Sequence, residues 1–510
     1  MNTIADSTLP VVHDATKRAP AWRDLFAWEW RHIARSRVFW CVTALVVAAF
    51  CTGAGAGGSL QRAQHVAQQA QATDDAAWMH EIARRAHDYA RPAAEPAPYW
   101  QDPTDVAGLS RYQLRQHAWK PVLPLAALSV GASDLATSRW PVKLDTPFGV
   151  EPAYDFEPPR GLAIGRFDLG FAIVAILPVA VIALAGLLGT VERDRGMLRL
   201  VASLPVSPLA WLSARAAALA AWLLPMLAVA LTAALLVGGA DLAAAWPEWL
   251  AAIALVTAYA LFWLALAFAV LAAWPGAAGA IGSLLTLWLV VSLALPMLGR
   301  VVADVALPAP SRVLYVDAQR RVDDAITASR DVLVADAFRA RPDLAAQAGR
   351  AADIDYATRQ TFLVPVVEAR MAPSQERIAA NREAREPWST IVGHVAPSLG
   401  LEAALATLAG TDTARQRDYE RQVRAYQLQL RNFFWPRVQR EIVQPTPRPA
   451  GSYARLNFTD YAAIPAFAPA AEPARERVRA VLPFAAWLMA AAALLVLFAA
   501  RRLRGWPEDP

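Results

Sequence analysis

TVERDRGMLRLVASLPVSPLAWLSAR, residues 190–215, separates two long apolar runs, 169–191 and 216–237. Glu192, Arg193, Asp194 and Arg195 fall where the first run ends. Gly196 follows, and an apolar-basic segment then leads to Pro205-Val206-Ser207-Pro208. Glycine ends or bends a helix, and proline suits the first turn of the next. The stretch reads as a structured loop between two membrane helices, with its charged side chains offered to a partner protein.

The rest of the chain supports that reading. It has 510 residues, 56% of them hydrophobic, and a mean hydropathy of +0.28. The apolar residues gather into runs of roughly 20 or more, enough to cross a ~30 Å hydrocarbon core. Six spans are expected, at 38–58, 169–191, 216–237, 249–273, 276–299 and 481–500. Two polar segments, 59–168 and 300–480, have ordinary globular composition. The expected fold is an all-α polytopic membrane protein with two extracytoplasmic segments, the second large and mainly helical.

Basic residues set the orientation. Lys17, Arg18, Arg23, Arg31, Arg35 and Arg37 precede the first span. Arg193, Arg195, Arg199 and Arg215 lie in or at the edge of the loop, and Arg501, Arg502 and Arg504 follow the last span. The short turn 238–248 has no Lys or Arg. The positive-inside rule then places both termini and the 192–215 loop in the cytoplasm. The turn at Trp274-Pro275-Gly276 is the one short cytoplasmic piece without arginine. The net charge of +5 comes with these flanks, so nucleic acid is not an indicated partner. The 37 residues before the first span exceed a signal-peptide n-region and point to an uncleaved anchor. Cys41 and Cys51 lie in that span and cannot pair with each other along one helix.

Trp22, Leu25, Phe26, Trp30 and Ile33 form one helical stripe, and Pro20 suits the helix start. Two tryptophans on the apolar face suit a helix lying at the cytoplasmic membrane interface. In the first polar segment a helical start over 61–89 gives way to proline-broken chain. The second shows helical periodicity over 317–343, 344–381 and 401–439, with Tyr419, Val423, Tyr426 and Leu430 recurring on one face, and then proline-rich extended chain over 445–473. Gly276, Gly279, Gly282 and Ser283 are small enough for close packing of the fifth span.

Motifs for chemistry are absent. There is no G-x-x-x-x-G-K-[ST], no H-E-x-x-H and no G-x-S-x-G, and the seven histidines are scattered. Ser129, Ser133 and Asp134 in LSVGASDL lack a placed histidine and read as a cap or turn. The spans hold almost no ionisable residues, whereas ion-coupled transporters carry them at mid-membrane. The chain reads as a non-enzyme with no cofactor or metal of its own, and its energy must arrive from outside.

The order of parts resembles an ABC-2 type transporter permease. The residues that carry the resemblance are the E-R-x-x-G-x-L-R-L loop with P-V-S, namely Glu192, Arg193, Gly196, Leu198, Pro205, Val206 and Ser207. RFDLGF before the second span, LSVGASDL at 128–135, PSRVLYVDAQR at 310–320 and PSLGLEAALATLAGTD at 397–412 resemble the subset with a large extracytoplasmic domain. The resemblance implies that the loop is a coupling helix seated in a cleft of a separate ABC ATPase subunit, which binds the ATP. It also implies a second permease copy or a homologous permease, a bacterial inner-membrane location and export. The outer domain exceeds that of typical members and leaves the cargo unassigned. The competing reading is a non-transporting scaffold or sensor whose outer domain binds a partner.

Overall fold

The computed structural model describes residues 22–91, 98–134, 136–147, 167–186, 206–273, 276–448, 451, 453–470 and 472–504. Helix α1, Trp22–Ala34, leads through Ser36 into α2, Arg37–Tyr89. Ser36 Oγ accepts from the Phe39 N–H and caps α2. At 53 residues, α2 runs about 80 Å and continues well past the expected end of the first span. The glycines near that point are packing positions instead of a stop. A Cβ on Gly53 would lie 2.6 Å from the Asp168 carbonyl oxygen, and one on Gly58 would collide with the Gly238 carbonyl. Small residues let backbones approach this closely.

After α2, strand β1, His117–Trp119, pairs antiparallel with β2, Arg139–Pro141. Helix α3, Leu169–Ala185, is apolar and interrupted by a π turn at Ala172–Ile176. Ser207 caps α4, Pro208–Gly238, with Pro208 at its first turn. Gly239, at φ +83°, ends α4 in a left-handed conformation that favours glycine. Then come α5, Trp246–Ala273, and α6, Ala278–Ala306, with a second π turn at Val290–Ala294. Five further helices, α7 to α11, follow as Arg312–Ala328, Arg330–Arg339, Tyr356–Val395, Pro397–Ala409 and Thr413–Val443, and α12 is Ala474–Arg504.

The protein is an all-α polytopic membrane protein with a single short strand pair among its described residues. Five helices, α2, α4, α5, α6 and α12, are long and apolar enough to cross a membrane. The segment expected as the second span is described only as the shorter helix α3, because 187–205 lie outside the described residues. A further apolar unit comes from α9 and α10, which meet at a 120° bend.

Two features depart from the sequence reading. Residues 397–409 were expected in the exposed domain over 300–480. Helix α10 is instead buried in the bundle, where Leu401, Leu405 and Leu408 share one core with Leu169 and Ile173 of α3 and with Val481, Phe484 and Leu488 of α12. At 13 residues it is too short to cross alone and carries no span-length apolar signal. In addition, the two polar segments are one folded body. Ile82, Val106, Leu109, Ala118 and Leu144 pack in one cluster with Tyr419, Val423, Tyr426, Leu430, Phe434 and Phe458. Backbone closes the seam: Thr104 O accepts from the Asn457 and Phe458 N–H groups, and Asn457 Oδ1 accepts from the Val106 N–H.

Candidate functional site: a capped helix start and an inserted helix

The bundle has two ends. One end carries the start of α4, the end of α5 and the end of α12. Here Val206 and Leu209 pack on Trp211, Leu212, Phe268, Ala269, Ala499 and Leu503. Ser207 Oγ accepts from the Ala210 N–H at 3.1 Å. The described end of the loop is thus a capped helix start anchored to two neighbouring helices. Residues 208–215, expected as loop, are the first two turns of α4, because Pro208 and Ser207 together make a strong helix start. Glu192, Arg193, Gly196, Leu198 and Pro205 lie outside the described residues.

Helix α1 lies against α4. Trp22 stacks on Phe26 at 5.5 Å, Phe26 on Trp30 at 6.0 Å, and Trp30 on Trp222 at 4.5 Å. Trp22 Nε1 donates to Ser213 Oγ, and Trp222 Nε1 donates to the Trp30 carbonyl, both at 3.2 Å. Ile33 is buried, and Leu25, Phe26 and Trp30 are half-buried. The predicted stripe therefore faces protein along α4. Beneath it Glu29 and Arg215 form an ion pair at 2.8 Å, with side chains 1% and 3% exposed. The Arg215 guanidinium also lies 4.8 Å from the Trp211 ring centre. Glu29 was not singled out from the sequence. The available signal was an acidic residue four positions from both Leu25 and Ile33, on the apolar stripe of the helix.

At the other end a second buried ion pair, Arg477 with Glu248, joins the starts of α12 and α5. Between the two ends α10 touches α3 and α6, the two apolar helices that carry π turns. The turns have a common cause. Pro178 has no N–H to give the Val174 carbonyl four residues earlier, and Val291 lies at the π spacing from Pro296. Each freed carbonyl receives a hydroxyl from a neighbouring helix: Tyr259 OH donates to Val174 O at 3.0 Å, and Ser398 Oγ donates to Val291 O at 3.1 Å. Non-helical backbone at membrane depth requires such internal partners. Helix α10 is also tied to the polar body. Thr411 Oγ1 donates to the Ser129 carbonyl, and Asp168 Oδ2 accepts from the Val130 N–H. LSVGASDL thus holds α3 and α10 together.

An apolar bundle of span-length helices, with α10 inserted into it from a large polar domain, defines a polytopic membrane protein. Residues 24–354 match the family described as ABC-2 family transporter protein. The chain belongs to that family and is a membrane permease of an ABC transporter. Residues 312–470 match a domain of unknown function, DUF3526. No curated protein and no solved structure matches the chain.

Proposed function

We propose that the chain is the permease half of an ABC exporter, driven by a separate ATPase subunit that docks on the 192–215 loop from the cytoplasm. In this reading both termini are cytoplasmic, the 300–480 domain lies outside the bacterial inner membrane except for the end of α6 and the inserted α10, and a second copy or a homologous permease completes the transporter. The chain needs no cofactor of its own, because ATP binds to the partner.

The observation that carries the reading is the braced exit of the loop. Ser207 and Pro208 fix the start of α4, and the buried Glu29–Arg215 pair fixes α4 to α1. A push delivered to Glu192, Arg193, Gly196 and Leu198 would then pass into α4 as a rigid unit. Arginine and glutamate side chains on the loop suit charge-assisted contacts with an ATPase surface.

The test is purification from the native membrane with identification of what travels with the protein. An ATPase subunit is expected, and its reproducible absence sinks the reading. In the assembled transporter, Glu192→Lys or Gly196→Pro is expected to abolish ATP-dependent transport while leaving the protein in the membrane. Normal transport in both variants removes the loop from the mechanism.

A further inference from the structure

A cleft of about 980 Å³ opens in the large polar domain between α7, α9 and α11. Its walls carry six arginines, Arg312, Arg382, Arg385, Arg417, Arg421 and Arg424, against two glutamates, Glu383 and Glu420. No lysine lines it. The guanidinium fork matches planar and tetrahedral oxyanions in two-point contacts, which an ammonium group cannot make. Arg417, Arg421 and Arg424 follow one face of α11, and Arg382 and Arg385 face them from α9. Trp140 and Tyr315 add apolar surface.

The arginines are held in place by exposed pairs. Arg417 binds Glu386 at 2.9 Å, Arg421 binds Asp418 at 3.0 Å, and Arg382 lies 3.8 Å from Glu420. Pairs this exposed contribute little net stability, so an incoming oxyanion can replace the carboxylate.

The position of the cleft narrows the ligand. Arg385 binds Asp304 at 2.9 Å and donates to the Leu307 carbonyl, at the end of α6. Trp388 Nε1 donates to the Gly299 carbonyl about two turns earlier. The cleft therefore sits beside the polar-domain end of the apolar helix α6. An exposed apolar track leads to it. Met297, Val301 and Val305 on α6 continue into Val313 and Leu314 on α7, beside Arg312, with Val305 80% and Val313 74% exposed.

We propose that the cleft takes the phosphate-type anionic headgroup of a lipid-like amphiphile, with its apolar part lying on the α6–α7 track. Cationic fork and apolar track together match that one chemistry. The assignment stands independently of the ATPase reading, because it concerns equilibrium binding without nucleotide.

The test is calorimetric titration of the full-length protein, in a zwitterionic detergent, with short-chain phosphatidylglycerol, short-chain phosphatidylcholine and inorganic phosphate. Saturable binding of phosphatidylglycerol is expected, with weaker binding of the other two. Arg382→Glu with Arg424→Glu should weaken it about tenfold or more, and Val313→Asp with Leu314→Asp should weaken it as well. These positions are exposed, so size exclusion and thermal unfolding should show the fold intact. Equal binding of phosphatidylcholine overturns the role of charge. Phosphate bound as tightly as phosphatidylglycerol overturns the apolar half and leaves a free oxyanion as the ligand. If Val313→Asp with Leu314→Asp leaves lipid binding unchanged but splits a dimer, a second copy covers the track and the proposal fails.

Discussion

Glu29 and Arg215 show how a single contact sets the geometry of the loop end. Breaking a buried pair leaves one charge without compensation, whereas replacing both partners by apolar groups of similar size is often neutral. Glu29→Gln is therefore expected to lower stability by about 3–5 kcal/mol, and Glu29→Leu with Arg215→Met to recover most of it. Unfolding of the purified protein in denaturant checks both, and equal stability of Glu29→Gln and the parent refutes the assignment. Asp105 carries a pH dependence in the polar domain. Burial raises its pKa from 3.8 to about 6, against the lowering effects of the Gly108 N–H and Arg455, while Asp355 and Asp102 add to the rise. The folded state then holds more protons than the unfolded state between these values, so this group's contribution falls as pH rises from about 4 to about 6. Asp105→Asn, which keeps an acceptor for the Gly108 N–H, should flatten that slope in thermal scans. Arg215 is visible in the sequence as a charge beside a span. Its partner is not, because linear order does not pair residues from two different helices.

The element that most alters the picture is α10. Its entry is a tight crossing: a Cβ on Gly400 would meet the Gly393 carbonyl and the Phe484 ring. His394 packs edge-on against Phe484 and Trp487 at the same bend. Gly400→Val should therefore cost about 1–3 kcal/mol through overpacking. A melting temperature equal to that of the parent would show that the bend can absorb the side chain. The residues of α10 are apolar in the sequence, and PSLGLEAALATLAGTD is among the stretches that resemble the family. Its depth is not legible there, since a helix of 13 residues is read equally well as a core helix of a soluble domain. The π turns were half legible. Pro178 stands out in the second span, but the hydroxyls that satisfy the freed carbonyls come from Tyr259 and Ser398, on other helices.

At the scale of the whole molecule, the two polar segments share one core, and the second sends a helix into the bundle. Removing residues 312–470 should therefore do more than delete a domain. It takes away Tyr419, Tyr426, Leu430 and Phe434 from the cluster that holds Val106, Leu109 and Leu144, and α10 from the bundle. Residues 98–147 of the truncated protein are expected to become sensitive to limited proteolysis. A protease pattern unchanged over that stretch would contradict the shared core. What the sequence determined alone was the class: long apolar runs with polar, arginine-rich flanks are local properties that hydrocarbon thickness and hydration energies translate directly into membrane-spanning helices. What only the tertiary structure decided were the meetings of distant residues. The loop read from 190–215 ends as the first turns of α4, and Glu29 braces it from α1. Such pairing depends on which helices lie side by side, and each helix's own periodicity shows which face is buried but not what that face meets.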